Sequence, residues 1–408
     1  MKRISVTLVL PIFMGLAMSI SGCGKSGARS ARLAFSTDFE SGAAQNLHVR
    51  PDGSIAFSIT PDPGGPEYLW FYFRVSGATE KPPEFVIENA AKAHQSGERW
   101  NITRPVFSAD GITWLRAEKA SYIREFSLSQ PLGKPVFRFT SPIAAETLQV
   151  AYCYPYTRTT LDAFLGTIGP RIAGISSIGK SEEQREIPCF RIGAEAPEKA
   201  RIWVICREHP GETPASFVLE GMAQALLDHP AGWRLMDHFS FTFVPMLNVD
   251  GVTRGYYYHN AKGVNLARDW VAFSSAEVRA LKDALEPVAR KGALQLVINL
   301  HSSNDPGKGH FFLEMPSSKL KKEDAERQRS LFDAADGNHP QLNGKSRVNL
   351  LDLPGITGNA LYRDYGVYCL YLETNYSRGA DGSIVTPRSL REVGLALTQA
   401  LAEVFVPE

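Results

Sequence analysis

The sequence predicts an α/β fold, in which a mainly parallel or mixed sheet has helices on both faces and is preceded by a small antiparallel β-sandwich domain. Two patterns lead to this prediction. Short apolar segments separated by turns fill residues 33–155, and longer apolar runs alternate with helical segments over 156–408. The length of 408 residues, with 44% hydrophobic and 21% charged side chains, suits one large domain and a smaller one.

Turn residues punctuate the first half of the chain. Pro51-Asp52-Gly53 and the Pro-Asp-Pro-Gly-Gly-Pro run at 61–66 separate segments that read as short strands. Regular short strands with such turns are typical of an antiparallel sandwich or barrel. The predicted strands of this half lie at 54–59, 69–75, 113–116, 136–140 and 148–154.

The second half alternates apolar strands with helices, which is the pattern of a parallel sheet buried on both faces. One helix is predicted over 214–227 with Thr213-Pro214 as its cap and first turn, and another from a capping box at 274–277 to about 289. A charged segment at 319–329 reads as a solvated helix face, and an amphipathic helix at 389–405 ends the chain. The predicted strands lie at 201–206, 239–247, 294–300, 310–315 and 367–372.

The charge balance excludes one class of partner. The chain has 44 Lys and Arg against 43 Asp and Glu, which gives a formal charge of +1. A nucleic-acid-binding protein would carry a basic patch, so no nucleic-acid partner is expected. Apart from the first twenty residues, no apolar run is long enough to span a membrane, so a multi-pass protein is excluded as well.

The N-terminus carries an export pattern. Lys2 and Arg3 precede an apolar stretch at 4–20, which ends in Ile20-Ser21-Gly22-Cys23. This ending resembles a bacterial lipobox and implies a lipoprotein signal peptide at 1–22, a lipidated Cys23 that anchors the chain to a membrane, and a flexible tether at 23–32. The resemblance, with Gly24 after the cysteine, implies the cell envelope, on the periplasmic side of the outer membrane. The alternative is an uncut N-terminal membrane anchor.

Four further cysteines remain after Cys23. An oxidising compartment permits disulfides, but Cys206 and Cys369 lie in apolar runs and can equally pack as buried thiols. The sequence leaves both possibilities open for these four, which are Cys153, Cys189, Cys206 and Cys369.

Ionisable residues follow four of the predicted strands. His209 and Glu212 come shortly after the strand at 201–206, Asp250 follows the next strand, and His301 and Glu373 directly end two more. Because ligands bind outside the carboxyl ends of the strands in open α/β sheets, these side chains are expected to meet at one edge.

Two histidines and a glutamate suit a catalytic zinc site. Zinc accepts imidazole nitrogen and carboxylate oxygen and keeps a fourth position for water. His209 and Glu212 are three residues apart and can reach one point, and His301 would come from a second strand. Glu373 is then free to act as general acid/base on the water that the zinc activates. The sequence therefore predicts one Zn²⁺ per chain.

The order of these residues resembles the zinc metallocarboxypeptidase family related to carboxypeptidase A. Within that family the chain is similar to the cytosolic-carboxypeptidase-like subgroup, in the segments at 35–42, 70–76, 151–157 and 207–213. The resemblance implies zinc on His209, Glu212 and His301 and catalysis by Glu373. It also makes 33–155 the N-terminal β-sandwich domain and 156–408 the catalytic domain.

The segments expected to bind substrate depart from the family pattern. Arg268 matches the family's carboxylate-binding Arg, but Ala267 stands where an Asn is expected. The family's oxyanion-stabilising Arg is replaced by Tyr258, and Arg254 could reach in from a rearranged loop. Asn359 lies in the stretch that forms the specificity pocket, so a preference for C-terminal glutamate does not follow.

The sequence thus predicts a zinc carboxypeptidase that acts on peptides at the cell envelope. One alternative is a zinc amidase or deacylase that needs no free C-terminal carboxylate, which the missing Asn and Arg would favour. Another is a weakly active zinc-binding surface lipoprotein. The oligomeric state is not fixed by any of these observations.

Overall fold

The computed structural model describes residues 33–406, apart from 66–67, 78–80, 94–96, 128–129, 195 and 197–198. The predicted signal peptide at 1–22, the lipidated Cys23 and the tether at 23–32 lie outside the described residues. In the described part, no helix combines the length and apolarity that a membrane crossing requires.

Two five-stranded sheets form the N-terminal part of the fold. Their orders are β1-β4-β10-β6-β7 and β2-β3-β5-β9-β8, and every pairing is antiparallel except that of β3 with β5. The predicted sandwich is therefore confirmed, with one parallel pair in it. The strands are β1 (Ala34–Ser36), β2 (Gln45–Val49), β3 (Ile55–Ser58), β4 (Tyr72–Ser76), β5 (Glu84–Ile87), β6 (Val106–Ser108), β7 (Leu115–Arg116), β8 (Ala120–Ser127), β9 (Gln130–Thr140) and β10 (Thr147–Ala151).

Aromatic rings fill the core of this part. Phe57 lies 4.8 Å from Phe73 and 5.1 Å from Phe71, measured between ring centroids, and Phe85 stacks on Phe139 at 5.4 Å. These rings are fully or almost fully buried, and each contributes about 1.5–3 kcal/mol by leaving water. Two short helices, α1 (Ala90–Ala93) and α2 (Glu98–Ile102), lie between β5 and β6.

An eight-stranded mixed sheet forms the second part, in the order β11-β12-β14-β13-β15-β18-β16-β17. Its four central strands, β14, β13, β15 and β18, are parallel. Because β14 is buried along its whole length, both of its faces are covered. The strands are β11 (Ile175–Lys180), β12 (Glu186–Ile192), β13 (Ala200–Cys206), β14 (Phe239–Val244), β15 (Leu294–Ser303), β16 (His310–Glu314), β17 (Leu342–Asn349) and β18 (Cys369–Asn375).

Helices connect these strands, as the α/β pattern predicts. Three 3₁₀ turns, at Gly169–Arg171, Leu266–Arg268 and Ser317–Lys319, accompany them. The helices are α3 (Arg158–Ile168), α4 (Thr213–Asp228), α5 (Pro230–His238), α6 (Val249–Arg254), α7 (Ala276–Arg290), α8 (Lys322–Asn338), α9 (Thr357–Tyr365) and α10 (Pro387–Phe405).

The predicted helix starts need two corrections. Glu212, not Thr213, holds the cap position of α4, and its carboxylate turns to neighbouring imidazoles instead of capping. Helix α7 is capped by Ser275, whose Oγ accepts a bond from the Val278 amide. The capping box predicted at 274–277 is wrong, because the Glu277 carboxylate instead accepts bonds from Asn260 Nδ2 and the Glu182 amide.

Helices α4 and α10 pack against each other at very short range. A Cβ on Gly221 would lie 2.1 Å from the Arg391 carbonyl oxygen, and one on Gly394 would lie 2.2 Å from that of Val218. Both glycines are therefore required by the close approach of the two backbones.

The sandwich and the α/β part cluster into one compact unit, Leu33–Glu408. The Arg116 guanidinium on β7 donates to the carbonyl oxygens of Tyr376 and Val385, and Ser41 Oγ donates to the Val252 carbonyl at 2.6 Å. The predicted boundary between residues 155 and 156 stays a prediction. The four cysteines beyond residue 33 are buried and free, which answers the question that the sequence left open.

Candidate metal centre

The carboxyl ends of three central strands deliver the predicted site residues to one edge of the sheet. Strands β13, β15 and β18 are parallel neighbours, and His301 is paired in register with Glu373. Paired residues of neighbouring strands project to the same face of a sheet, so these two side chains lie side by side. His209 and Glu212 follow three and six residues after the end of β13.

Arg207 shapes the turn that carries these two residues. Its φ angle of 63° lies in the left-handed region, which lets the chain turn sharply where β13 ends. The buried guanidinium donates to the carbonyl oxygens of Pro210 and Tyr156 and to Ser216 Oγ, each at 3.0 Å. Burial lowers the pKa of Arg207, and these acceptors satisfy its donors inside the protein. No role for Arg207 was predicted from the sequence.

Three donor groups converge at this edge. The His209 Nδ1 atom lies 2.8 Å from Glu212 Oε1, the His301 Nδ1 atom lies 2.9 Å from Glu212 Oε2, and the two Nδ1 atoms are 3.2 Å apart. All three side chains are buried, and their donor atoms lie within 4.8 Å of one another. The structure therefore brings together the three residues that the sequence predicted as ligands.

A buried carboxylate holds the outer nitrogen of His301. Its Nε2 atom lies 3.0 Å from Glu208 Oε2, and Glu208 also accepts bonds from Asn299 Nδ2 at 2.8 Å and Thr357 Oγ1 at 2.7 Å. A carboxylate on one ring nitrogen fixes the tautomer and leaves the other nitrogen free to bind a metal. Sequence reasoning missed Glu208, although an acidic residue between a buried strand and a candidate ligand was a signal.

A neutral amide holds the outer nitrogen of His209. Asn265 Oδ1 lies 3.1 Å from His209 Nε2, and the Tyr258 ring stacks on the imidazole with centroids 3.9 Å apart and an angle of 17°. The two imidazoles thus present Nδ1 to the same point, but one is held by a charged group and the other by an amide and an aromatic ring.

The electrostatics of this cluster suit a cation. Burial disfavours the charged form of Glu212, but the two imidazoles outweigh it and lower the pKa of Glu212 to about 2. Burial also works against protonation of His301, yet Glu212 and Glu208 raise the pKa of its imidazole well above the usual value. Two carboxylates therefore surround two imidazoles in a buried place, where a positive charge is stabilised.

This donor set fits zinc. Two imidazole nitrogens and one carboxylate form the His₂Glu ligand set of catalytic zinc sites. Tetrahedral ligands at about 2.1 Å from zinc lie about 3.4 Å from one another, close to the 3.2 Å between the two Nδ1 atoms. His209, Glu212 and His301 are the residues that would hold the ion.

Glu373 lies beside the cluster and is not one of its donors. Within the described residues, its Oε2 atom is buried and has no hydrogen-bond partner. Burial raises the pKa of Glu373 to about 8, which Glu212 increases and His301 opposes. An unsatisfied carboxylate oxygen next to a metal cluster is in the position that a general acid/base requires.

Comparison with known proteins identifies the family. The sequence profile of a zinc carboxypeptidase domain matches residues 162–306, and that of the cytosolic carboxypeptidase N-terminal domain matches 35–153. The chain belongs to the zinc carboxypeptidase family. The first match contains the three ligands and ends before Glu373. Both halves of the chain therefore have counterparts in this family of metallopeptidases.

Curated relatives agree with this membership. The cytosolic carboxypeptidase 6 of Mus musculus is 29% identical over 307 residues, which cover 71% of this chain and 57% of that protein. An uncharacterized protein of Zymomonas mobilis is 30% identical over 277 residues, or 66% of this chain and 67% of that protein. The chain spans 57–60% of the length of the mouse and human cytosolic carboxypeptidase 6 sequences.

Solved structures show the same fold. A metallo-carboxypeptidase from Burkholderia cenocepacia has a TM-score of 0.79 at 23% identity, covering 92% of this chain and 99% of that one. A metallo-carboxypeptidase from Pseudomonas aeruginosa has a TM-score of 0.77 at 21% identity and covers 91% and 99%. The likeness includes the N-terminal sheets as well as the carboxypeptidase fold.

The predicted substrate-binding residues have different surroundings in the structure. Tyr258 lies against the metal ligands, as described. Arg268 is exposed on the 3₁₀ turn that follows Asn265. Arg254, at the end of α6, is held by Glu183, whose Oε1 and Oε2 lie 3.0 and 3.2 Å from its Nε atom. Its predicted reach into the site stays a prediction.

Asn359 and Tyr362 make hydrogen bonds within the local structure around α9. Asn359 Nδ2 donates to the carbonyl oxygens of Leu351 and Leu353 and so binds the loop before α9. The Tyr362 hydroxyl accepts a bond from the Lys321 amide and donates to Asp324, which ties α9 to the start of α8. Asn359 as a substrate-binding residue stays a prediction.

Proposed function

We propose that this chain is a zinc-dependent metallocarboxypeptidase that hydrolyses C-terminal peptide or amide bonds at the cell envelope, with Glu373 as general acid/base. The observation that carries the proposal is the position of Glu373, with an unpartnered carboxylate oxygen, beside three converging zinc-type donors. Zinc bound by those donors would activate a water molecule and polarise the scissile carbonyl.

The residues of the chain divide the remaining work. Glu373 accepts a proton from the attacking water and passes it to the leaving amine. Arg268, with an exposed guanidinium, can pair in a bidentate way with the free carboxylate of a peptide's last residue. Tyr258 can donate one hydrogen bond near the ligands but brings no charge to a developing oxyanion.

Replacement of Glu373 by Gln tests this mechanism. The variant keeps the shape of the side chain but cannot accept a proton, so hydrolysis should fall by at least about 10²–10⁴-fold. Zinc content, measured by elemental analysis, should stay at one ion per chain. A Glu314→Gln variant, at the end of β16, is the matched control and should leave turnover unchanged. Unchanged turnover of Glu373→Gln would contradict the proposed role.

A zinc amidase or deacylase is the second candidate, and one observation favours it. Arg254 is bound by Glu183, and Tyr258 stands at the family's oxyanion position, so neither residue supplies the family's cationic oxyanion donor in the described part of the chain. A panel of peptides that differ in the last residue, each with a free and an amidated C-terminus, separates the two candidates. A carboxypeptidase cleaves the free series only, with activity lost on chelation. Cleavage of both series favours the amidase.

The envelope location rests on the N-terminal sequence alone. If Cys23 is lipidated, radiolabelled palmitate should be incorporated into the intact chain, and the protein should sediment with membranes. A Cys23→Ser variant should lose the label and become soluble. The absence of label in the unaltered chain would contradict lipidation and leave the uncut anchor as the explanation of any membrane association.

A further inference from the structure

One side chain of the sandwich reaches a loop next to the metal ligands. Asp62 lies in the turn between β3 and β4, and 1% of its side chain is exposed. Its Oδ1 atom accepts a bond from the Tyr257 amide at 2.9 Å, and its Oδ2 atom accepts bonds from the amides of Tyr258 at 2.6 Å and His259 at 3.1 Å. The His259 Nδ1 atom lies 3.5 Å from the same carboxylate.

Three consecutive amides directed at one anion form a backbone nest. Such a concave site ordinarily binds an anionic ligand, but here the protein's own buried carboxylate occupies it. The bonds are charge-assisted and lie away from water, so they are stronger than ordinary backbone hydrogen bonds. The conformation of residues 257–259 is therefore set by a residue almost 200 positions earlier in the chain.

Close packing fixes the two turns relative to each other. A Cβ on Gly65 would lie 2.3 Å from His259 Cε1, and a Cβ on Gly64 would lie 2.3 Å from the Gly263 carbonyl oxygen. Gly64 also has a φ of 91°, which favours glycine. The turn after β3 consequently has no room to slide along the loop, and Asp62 can meet the amides in one arrangement.

The clamped loop contacts the metal-binding turn at two points. The Tyr257 carbonyl accepts a bond from the Gly211 amide at 2.9 Å, between the ligands His209 and Glu212. The Tyr258 ring lies flat on the His209 imidazole. A change in the backbone at 257–258 would therefore move both the turn that bears two ligands and the ring that packs on one of them.

We infer that Asp62 is a positioning residue of the sandwich, which holds Tyr258 against His209 and so sets the geometry of the metal-binding turn. The inference deepens the proposed function, because it concerns the same site, and it makes the N-terminal domain part of the active centre. Asp62 itself touches neither the donors nor a substrate in the structure.

Asp62→Asn is the informative variant, since it keeps the size of the side chain but loses the charge and one acceptor. Asp110→Asn is the matched control, because Asp110 also accepts two backbone amides, those of Ile112 and Thr113, in an exposed loop of the same part. Hydrogen exchange at residues 257–259 should be roughly 10–100-fold faster in Asp62→Asn, as expected when a charged hydrogen bond is lost. Asp110→Asn should leave exchange there unchanged.

A double-mutant cycle separates positioning from general destabilisation. Competition with a chelator should show that Asp62→Asn weakens zinc binding by roughly threefold to tenfold, which is below the range for direct outer partners of a ligand. In a Tyr258→Ala background, the same substitution should have a smaller effect, because only the bond between the Gly211 amide and the Tyr257 carbonyl remains to transmit it. Asp62→Glu, which keeps the charge, should recover part of the affinity.

Three results would overturn the inference. These are unchanged exchange at 257–259, additive effects of Asp62→Asn and Tyr258→Ala on zinc affinity, or an equal effect of Asp110→Asn. If Asp62→Asn does not fold, Asp62→Glu carries the same exchange and zinc measurements. If the unaltered chain hydrolyses no peptide, the proposed function fails, while the exchange and zinc measurements still decide the role of Asp62.

Discussion

The strand-end edge and the loop at 255–268 contribute to one site in different ways. The edge brings the buried His301 and the partly buried Glu373 together through the register of parallel strands. The loop supplies Tyr258, Asn265 and Arg268, and its conformation depends on Asp62 from a distant part of the chain. The difference teaches that strand register places His301 beside Glu373, whereas the surroundings of His209 depend on a loop that the neighbouring sandwich holds.

Loss of a ligand from the edge should have the largest effect. His301→Ala leaves two donors, one of them a carboxylate shared with a single imidazole, so stoichiometric zinc and all hydrolysis should be lost. Elemental analysis of the purified protein measures the metal. His48→Ala, on an exposed strand of the sandwich, should keep one zinc per chain. If His301→Ala retained zinc, His301 would not be a metal ligand.

Loss of Arg268 from the loop should weaken the binding of substrate and leave the metal content unchanged. For Arg268→Ala, KM for peptides with a free C-terminus should rise by roughly 10–100-fold, because a charge-assisted pair is lost. Inhibition by amidated peptides, which a carboxypeptidase does not cleave, should be unaffected, and zinc should remain. Arg388→Ala, exposed on α10, is the control. An equal loss on free and amidated peptides would show that the loop does not recognise the carboxylate.

The two ligand imidazoles offer a finer comparison, because one is held by Glu208 and the other by Asn265. Glu208→Gln replaces a charged partner of His301 by a neutral one and should weaken zinc binding by about tenfold, at the lower end of the range for such partners. Asn265→Asp does the reverse for His209 and should tighten it. Chelator competition measures both. If the two variants shift affinity in the same direction, the charge of the outer partner is not the cause.

His310 lies on β16, next to β18, and is not one of the metal donors. It should affect the stability of the protein alone. It is fully buried, accepts a bond from the Asn375 amide at 2.9 Å, and contacts Gln341 at 3.3 Å. Burial lowers the pKa of His310 to about 4, so between pH 6.5 and 4 the unfolded chain takes up a proton that the folded chain excludes. The free energy of unfolding should therefore fall by about 3 kcal/mol as the pH falls through this window.

Chemical denaturation at pH 7, 6, 5 and 4 measures this slope. His310→Gln should flatten it, even if the variant is less stable at pH 7. His229→Gln, at the cap of α5, should retain the slope of the unaltered protein. An unchanged slope in His310→Gln would place the pH dependence on other groups.

The edge was predictable from the sequence and the loop was not, for a physical reason. Apolar runs that end in His301 or Glu373 are local patterns, and the rule that parallel strands present their carboxyl ends together turns them into a site. The fold class followed from the same alternation of strands and helices. The contacts that hold the loop depend on residues that are distant in sequence, such as Asp62 with the amides at 257–259. No periodicity records a contact of that kind.

Local rules also failed where a tertiary contact competes with them. Glu277 would complete a capping box only with Ser274 as the cap, but Ser275 caps α7. The Glu277 carboxylate instead accepts bonds from Asn260 Nδ2 and the Glu182 amide. Glu212 occupies a cap position while its carboxylate faces two imidazoles. In both cases the side chain takes part in a tertiary contact instead of a local cap.

The Arg116 guanidinium, which bridges from β7 to the carbonyl oxygens of Tyr376 and Val385, bears on how the protein can be shortened. Tyr376 is only three residues beyond Glu373, so excision of everything before residue 156 would remove the Arg116 donor from a carbonyl close in sequence to the proposed acid/base, and from that of Val385. A truncated catalytic half would therefore make a poor recombinant substitute for the whole. If this half were grafted onto a foreign scaffold, the scaffold would have to supply a cation in place of the Arg116 guanidinium.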